Sequence, residues 1–402
     1  MPLNQESRSF VIIGGGLAGA SAVKGIRELN RDAPILMLGI EKALPYDRPP
    51  LSKKLWFGKE KVEDIFIHDE KYYGDQGVEL KRGIEVVAID PSRKEIKDRQ
   101  GAVYRFEKLL LATGGAPRIL GIPGGDLDGI CYYRHLGDYQ RMRVAATPGK
   151  SAVIIGGGFI GSEMAAALSA NYLHVSMIFP EEYLVQRVFP KSLGRAIQEE
   201  YVKHGIQIFP GDSAVSFGRT NHGFVTRTQA GRRIEADIVI VGVGIKPSIE
   251  LAESAGLEVG DGIIVDEYLK SSHPDIFAAG DNTNLPCVTL GQRMRVEHWD
   301  NALNQGRQAG RNMAGAHESY SYMPYFFSDL FEFGYEAVGE VDARLETIMD
   351  WQKKNDTGII YYIKDDRIRG AMMCNTWNKV DWARDLIRKG QHITPQNLPK
   401  AA

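Results

Sequence analysis

Two glycine triplets carry the most specific chemistry in this sequence. Gly14, Gly16 and Gly19 follow the apolar run Phe10-Val11-Ile12-Ile13, and Gly156, Gly158 and Gly161 follow Ala152-Val153-Ile154-Ile155. Each triplet has the spacing GxGxxG between a predicted buried strand and a predicted helix. The first glycine allows a sharp turn, the second lets backbone approach a pyrophosphate, and the third lets the helix lie close to the strand. The anion then rests at the positive end of the helix. One such motif is a weak signal. The same motif stated twice predicts two dinucleotides on one chain.

An acidic side chain past the second strand of such a unit accepts hydrogen bonds from a ribose. Strand 34–38 is followed by Glu41, and strand 174–179 by Glu181 and Glu182. Taken alone, a Glu at a strand end is equally a solvated loop charge; the distance of Glu41 from Gly19 favours the ribose. Residues 44–53, LPYDRPPLSK, contain three prolines, which restrict the backbone and give Arg48 and Lys53 fixed directions. A guanidinium there suits a pyrophosphate in bidentate fashion, although the loop by itself reads first as a rigid surface turn. Two further apolar strands end in glycine: LLLATGG at 109–115 and DIFAAGD at 275–281. The second sets Asp281 at a carboxyl edge, where ligands bind in open α/β sheets.

The elements that must position these residues repeat. After Gly19 comes a helix over 17–29, then a strand, a β-meander over 84–106 and the strand at 109–111. After Gly161 come a helix, a strand, a meander over 206–234 and a strand over 237–243 ending at Gly242 and Gly244. One nucleotide-binding unit is duplicated within the chain. A helical pattern follows at 301–313. Residues 324–390 are aromatic and alternating, and read as a β-rich domain closed by a helix over 381–388.

At 402 residues the chain exceeds a single core. A net charge of −2 excludes bulk electrostatic attraction to nucleic acid or anionic membrane. No apolar run reaches membrane-spanning length, and the first nine residues lack a basic-then-apolar signal, so a cytoplasmic protein is expected. Cys131, Cys287 and Cys374 are far apart with no CxxC pair. That argues against a metal, an iron–sulfur cluster or a disulfide reductase dithiol in this chain.

The chain resembles the FAD-dependent pyridine-nucleotide oxidoreductases, in the branch of apoptosis-inducing factor and the oxygenase-type ferredoxin reductases. The carriers are the two glycine motifs, RPPLSK at 48–53, ATGG at 112–115, AAGD at 278–281 and RVEHWDNA at 295–302, with FPE at 179–181, SDL at 328–330 and GYEAVG at 334–339. The resemblance implies an α/β fold with two Rossmann-like, three-layer dinucleotide-binding domains and a C-terminal α+β domain. Residues 1–118 and 243–322 would form a discontinuous FAD domain, 119–242 an NAD domain, and 323–402 a β-rich domain over the flavin.

The resemblance also assigns residues. Gly14, Gly16, Ala18, Gly19, Glu41, Arg48, Lys53, Ala112, Thr113, Gly114, Arg118, Gly280 and Asp281 are expected at FAD. Gly156, Gly158, Phe159, Ile160, Gly161, Glu163 and Gly244 are also expected to bind cofactor, and Glu181 is expected at the adenosine ribose of NAD(H). Glu297, His298, Trp299 and Phe327 are expected near the flavin. Lys53 would stand beside flavin N5, paired with Glu163, and Trp299 would lie near nicotinamide or flavin on an electron path. Glu181 in the NAD site implies NADH over NADPH, with Glu182 as the neighbouring alternative. Two departures stand out. The acid expected for the FAD ribose usually falls one position earlier, at Ile40, and the aromatic before the SD dipeptide, usually Trp, is Phe327.

The function so implied is transfer of electrons from NADH through FAD to a small acceptor, foremost an iron–sulfur electron-transfer protein. Arg293, Arg295, Lys379, Arg384 and Arg388 are the candidate rim cations for an acidic partner. An NADH oxidase or quinone reductase is one alternative. An NADH-gated redox sensor, changing shape or forming a homodimer on reduction, is another.

Overall fold

The computed structural model of the protein describes residues 7–390, 392–393 and 397–399. The chain divides into two compact units. One contains the chain through Asp47, Val62–Ala116 and Lys246–Pro324; the other contains Arg48–Lys61, Pro117–Ile245 and the chain from Tyr325 onward.

Ser7–Ile13 is the central strand of the first unit, parallel to Ile35–Gly39 on one side and Val103–Leu111 on the other. Val78–Arg82 extends the sheet past Ile35–Gly39, and Ile276–Ala278 pairs in parallel with Leu109–Leu111. Strand Val103–Leu111 has two roles. Its first residues pair antiparallel with Glu95–Asp98, which continues into Val86–Asp90, while its last three are wholly buried. Parallel strands covered on both faces need unbroken apolar runs, and FVII and LLL are such runs. Val78–Arg82 carries Glu79, Lys81 and Arg82, and nothing in its composition marks it as a strand.

Helix Leu17–Arg27 packs on helix Trp299–Met313 at a distance only glycine permits. A Cβ on Gly306 would stand 2.2 Å from the Ala18 carbonyl oxygen, and one on Gly310 2.2 Å from that of Ala22.

The second unit repeats the parallel order: Gln207–Pro210, His174–Phe179, Ser151–Ile155, Ile238–Val241, Ile130–Tyr132. The meander expected over 206–234 starts later than that. Gln207–Pro210 joins the parallel sheet, because helix Lys191–Lys203 before it is a crossover connection that returns the chain in the same direction. The antiparallel layer is Ala214–Arg219, Phe224–Thr228 and Arg233–Ala236. The alternating C-terminal segment forms a five-stranded antiparallel sheet in the order Tyr325–Leu330, Phe333–Gly339, Arg367–Cys374, Thr357–Lys364, Glu346–Lys353, followed by helix Val380–Lys389. Among the described residues no helix is long and apolar enough to cross a membrane.

Candidate functional site

Both glycine motifs build the same cradle. Gly14 has φ +130° and a Cβ there would lie 2.0 Å from the Ala112 carbonyl oxygen; Gly156 has φ +114° and a Cβ there would lie 2.4 Å from that of Gly242. A side chain on Gly19 would strike the Gly14 oxygen at 2.2 Å, and one on Gly161 the Gly156 oxygen at 2.0 Å. The middle glycines differ: no atom lies within 4 Å of a Cβ built on Gly16 or Gly158. Packing demands the outer glycines, while the middle ones face open space at the N-termini of Leu17–Arg27 and Phe159–Ala170. That is where an anion meets unpaired backbone N–H groups.

In the first unit, residues from four strand ends converge on this edge. Ala18 is buried at the start of the helix, 3.2 Å from the Cβ position of Gly280, which has φ +95°. The Gly280 N–H donates to Gln305 Oε1 at 2.9 Å, while Gln305 Nε2 is buried without a partner among the described residues. Thr113 donates to the Ser248 carbonyl at 2.7 Å and accepts from Asn282 at 2.9 Å; Gly114, at φ +64°, follows it. Asp281 is half-buried beside Gly280. Glu41 accepts from the Tyr46 hydroxyl at 2.7 Å, whereas Ile40, where an acid was expected, is 64% exposed.

His298 and Trp299 open the helix Trp299–Met313. Desolvation pushes the His298 imidazole down to about 4, so it is neutral at pH 7. Trp299 Nε1 donates to Asp47 Oδ1 at 2.5 Å. Glu297 is paired with Arg295. The open cradle, an orphaned buried amide and a ribose-type carboxylate fit a dinucleotide.

In the second unit Glu181 is exposed at the end of His174–Phe179 and, among the described residues, makes no ion pair. Glu182 is engaged: its Oε1 accepts from Lys191 at 2.8 Å and from Arg195, which hold its carboxyl below the usual range. The Arg118 N–H donates to the Gly244 carbonyl at 3.0 Å. Ile160 is exposed at the cradle, and the Phe159 ring meets Phe326 edge-on at 5.7 Å. The proline-rich loop is a short 3₁₀ turn, Pro49–Ser52, flanked by Arg48 and Lys53. Arg48 donates to the Arg134 carbonyl at 3.0 Å and lies 3.3 Å from His135 Nδ1.

Lys53 and Glu163 meet as expected, Nζ to Oε1 at 3.2 Å, with side chains 12% and 7% exposed. Lys53 also donates to the Phe327 carbonyl at 3.3 Å and lies 4.6 Å from the centre of the Phe327 ring. Two serines complete the carboxylate. Ser52 donates to Oε2 and Ser328 to Oε1, each at 2.5 Å. Sequence reasoning missed both, since serine is common and no spacing flags it, although Ser52 and Ser328 lie within the quoted RPPLSK and SDL strings.

The rim expectation needs correction. Arg295 and Arg384 are each only 10% exposed: Arg295 is held by Asp261 and Glu297, and Arg384 by Asp381. Buried, paired guanidiniums cannot steer a partner. Arg293 is exposed, but its guanidinium donates to Asn284 and to the Val265 carbonyl. Of the thiols, Cys131 and Cys374 are buried, and burial pushes Cys131 up to about 12, so it stays protonated. Glu200, His204 and Glu332 bring three ligand-type atoms within 4.8 Å of one another on the surface, where Lys203 already pairs with Glu200.

Comparison with known proteins agrees with this geometry. The family described as pyridine nucleotide-disulphide oxidoreductase matches residues 8–306, and that described as apoptosis-inducing factor, mitochondrion-associated, C-term, matches 309–358. The chain is 32% identical over 428 residues, 98% of this chain and 80% of the relative, to apoptosis-inducing factor 1, mitochondrial, of Dictyostelium discoideum. It is 33% identical over 395 residues, 97% of this chain and 96% of the relative, to the ferredoxin–NAD(+) reductase component of the anthranilate 1,2-dioxygenase system of Burkholderia cepacia. Among solved structures it is similar to the covalent putidaredoxin reductase–putidaredoxin complex, with TM-score 0.91, 28% identity, and coverage of 98% of this chain and 95% of that one.

Proposed function

The chain belongs to the pyridine nucleotide-disulphide oxidoreductase family, and from that premise we propose that it is an NADH-dependent flavoprotein reductase serving a small iron–sulfur protein. It binds FAD and NAD(H). The observation that carries the reading is the doubled cradle, with its open middle glycines at Gly16 and Gly158. Bound FAD supplies the conversion chemistry, accepting two electrons from NADH and releasing them singly.

The chain's own residues bind, orient and balance charge. Leu17–Arg27 presents its N-terminus, past Gly14 and Gly16, to the FAD pyrophosphate, with Glu41 toward the ribose and Thr113, Gly280 and Asp281 lining the strand ends. Phe159–Ala170 presents its N-terminus to NADH. Glu181 accepts the adenosine ribose hydroxyls and repels a 2′-phosphate; Glu182, held by Lys191 and Arg195, is the less suitable acceptor. Lys53 provides positive charge at the reactive edge of the flavin, and Glu163 compensates it. His298, neutral at pH 7, adds no charge to the site. We assign residues 1–118 and 243–322 to FAD, 119–242 to NADH and 323–402 to a third domain.

The iron–sulfur acceptor is supported by likeness to the ferredoxin–NAD(+) reductase component and to putidaredoxin reductase. The match of residues 309–358 to the apoptosis-inducing factor C-terminal family favours a second reading, an NADH-gated sensor. An anaerobic stopped-flow mix of the FAD-loaded protein with NADH, then with a ferredoxin or with air, separates them. Fast bleaching by NADH and fast reoxidation by ferredoxin support the reductase. Slow bleaching, and a reduced form that persists with ferredoxin and in air, would favour the sensor.

A further inference from the structure

Glu163 is an unusual carboxylate for its surroundings. It sits 7% exposed on helix Phe159–Ala170, and its neighbours are drier still: Ser162, Tyr201 and Tyr335 are fully buried. Among the described residues the Tyr335 hydroxyl and Ser162 Oγ have no partner, and the Tyr201 hydroxyl donates past Glu163 to the Ser162 carbonyl. Burial first, and then proximity to Glu163, raises the phenols of Tyr201 and Tyr335. None of these groups donates to Glu163. Among the described residues it accepts from two hydroxyls, those of Ser52 and Ser328, which are 3% and 2% exposed, and it is ion-paired with the Lys53 ammonium.

A buried carboxylate without such donors is costly, and one lysine cannot fill both oxygens. The two serines take one oxygen each, at the short distance typical of a hydroxyl donating to a charged acceptor. The strand Tyr325–Leu330 then acts on both members of the pair. The Phe327 carbonyl accepts from Lys53, and the next residue, Ser328, donates to the partner of Lys53.

We propose that Ser52 and Ser328 are a hydroxyl clamp that fixes Glu163 and thereby the direction of Lys53, so that the C-terminal sheet sets the working position of the lysine. Ser328 is a positioning residue acting through Glu163. The inference rests on the assignment of Lys53 to the flavin for its effect on turnover, but not for its effect on Lys53 itself.

The test is a double-mutant cycle between Ser328→Ala and Glu163→Gln with two readouts, on the full chain loaded with FAD. The first is the acetylation rate of the Lys53 amine by dilute acetic anhydride, resolved by mass spectrometry. Ser328→Ala raises it at least fivefold, Ser52→Ala does the same from the other oxygen, and Ser328→Thr, which keeps the hydroxyl, restores the parental rate. The second is flavin reduction at saturating NADH. It falls about tenfold in Ser328→Ala while the NADH dissociation constant stays within twofold. In the Glu163→Gln background Ser328→Ala adds less than twofold to either readout. Parental Lys53 reactivity in both serine variants would overturn the clamp. Full additivity in the Glu163→Gln background would also overturn it, since Ser328 would then act through something other than Glu163. A parent protein that NADH does not bleach would instead overturn the reductase reading, and the acetylation cycle would still decide the clamp.

Discussion

The two cradles share a backbone and differ in the side chain two residues past the third glycine. It is Ser21 in the first and Glu163 in the second, both buried. The first helix is spent on packing: Ala18 and Ala22 offer carbonyls to the bare faces of Gly306 and Gly310. The second helix instead carries a charge, met by Lys53, Ser52 and Ser328. The strand beside the cradle differs too. A Cβ on Gly15 would approach the Gly39 Cα at 3.1 Å, whereas one on Gly157 would strike the Phe179 ring at 2.7 Å. Similar glycine geometry thus coexists with different side chains beyond it. In the proposed reading the first cradle holds FAD and the second NADH.

The largest expected effect breaks the cradles one at a time. A side chain at Gly14 or Gly156 meets both a positive φ and a backbone oxygen, and costs about 3 kcal/mol or more. Gly14→Val emerges from purification without flavin absorbance. Gly156→Val retains the flavin and is no longer bleached by NADH. Equal loss of flavin in both variants would sink the division of labour.

Next in size is the position that differs. Glu163→Gln slows flavin reduction about 100-fold, a loss of about 2.7 kcal/mol of transition-state stabilisation. Ser21→Ala changes it less than about threefold. Single-turnover rates at saturating NADH measure both, and matching effects would erase the contrast.

The ribose acids come third. Glu181→Ala shifts the NADH-to-NADPH preference by about tenfold, or about 1.4 kcal/mol, and Glu41→Ala leaves that preference unchanged while weakening flavin retention. Ratios of kcat/KM with the two coenzymes, together with flavin dissociation rates, test the pair; a preference shift in Glu41→Ala would reverse the assignment.

The last contrast appears in acid. His298, in the first unit, falls from its ordinary 6.5 to about 4 on burial. The unfolded chain therefore binds the proton first, and stability is lost as pH falls from about 6.5 toward 4. Asp237, in the second unit, is depressed from 3.8 to about 2, chiefly by Lys150 and the Ser151 N–H. Its contribution is whole above about 4 and is lost as pH falls toward 2. Urea midpoints against pH should flatten between 6.5 and 4 in His298→Asn, while Asp237→Asn lowers the midpoint at pH 7 and converges with the parent near pH 2. An unchanged slope in His298→Asn would count against a desolvated neutral imidazole.

The fold was largely legible because parallel strands covered on both faces leave continuous apolar runs, and because a glycine motif cannot tolerate other residues where Cβ would strike backbone. Phe10–Ile13, Ala152–Ile155, Leu109–Leu111 and the strand ending in Gly280–Asp281 all follow that logic. Edge and short strands escaped it. Val78–Arg82 has three charged residues of five, and Ile130–Tyr132 is three residues long and lies before its own glycine motif in sequence while sitting at the far end of the sheet. The Lys53–Glu163 pair was reached through family likeness and stands in the structure at 3.2 Å. Ser52 and Ser328 were not reached at all.

Sequence alone determined the duplication, the two cradles and the acids after their second strands, since these depend on local spacing, on steric exclusion at Cβ and on strand periodicity. Tertiary structure alone decided which charges are spent and which remain. Lys191 and Arg195 reach back to occupy Glu182 and leave Glu181 without an ion pair among the described residues. Arg295 and Arg384 sink into ion pairs where exposed cations were expected. Ser328, 165 residues from Glu163, supplies the hydroxyl for its Oε1. Hydrogen bonds and ion pairs act over about 3 Å in space and carry no signature of chain separation, so only the folded chain brings their partners together.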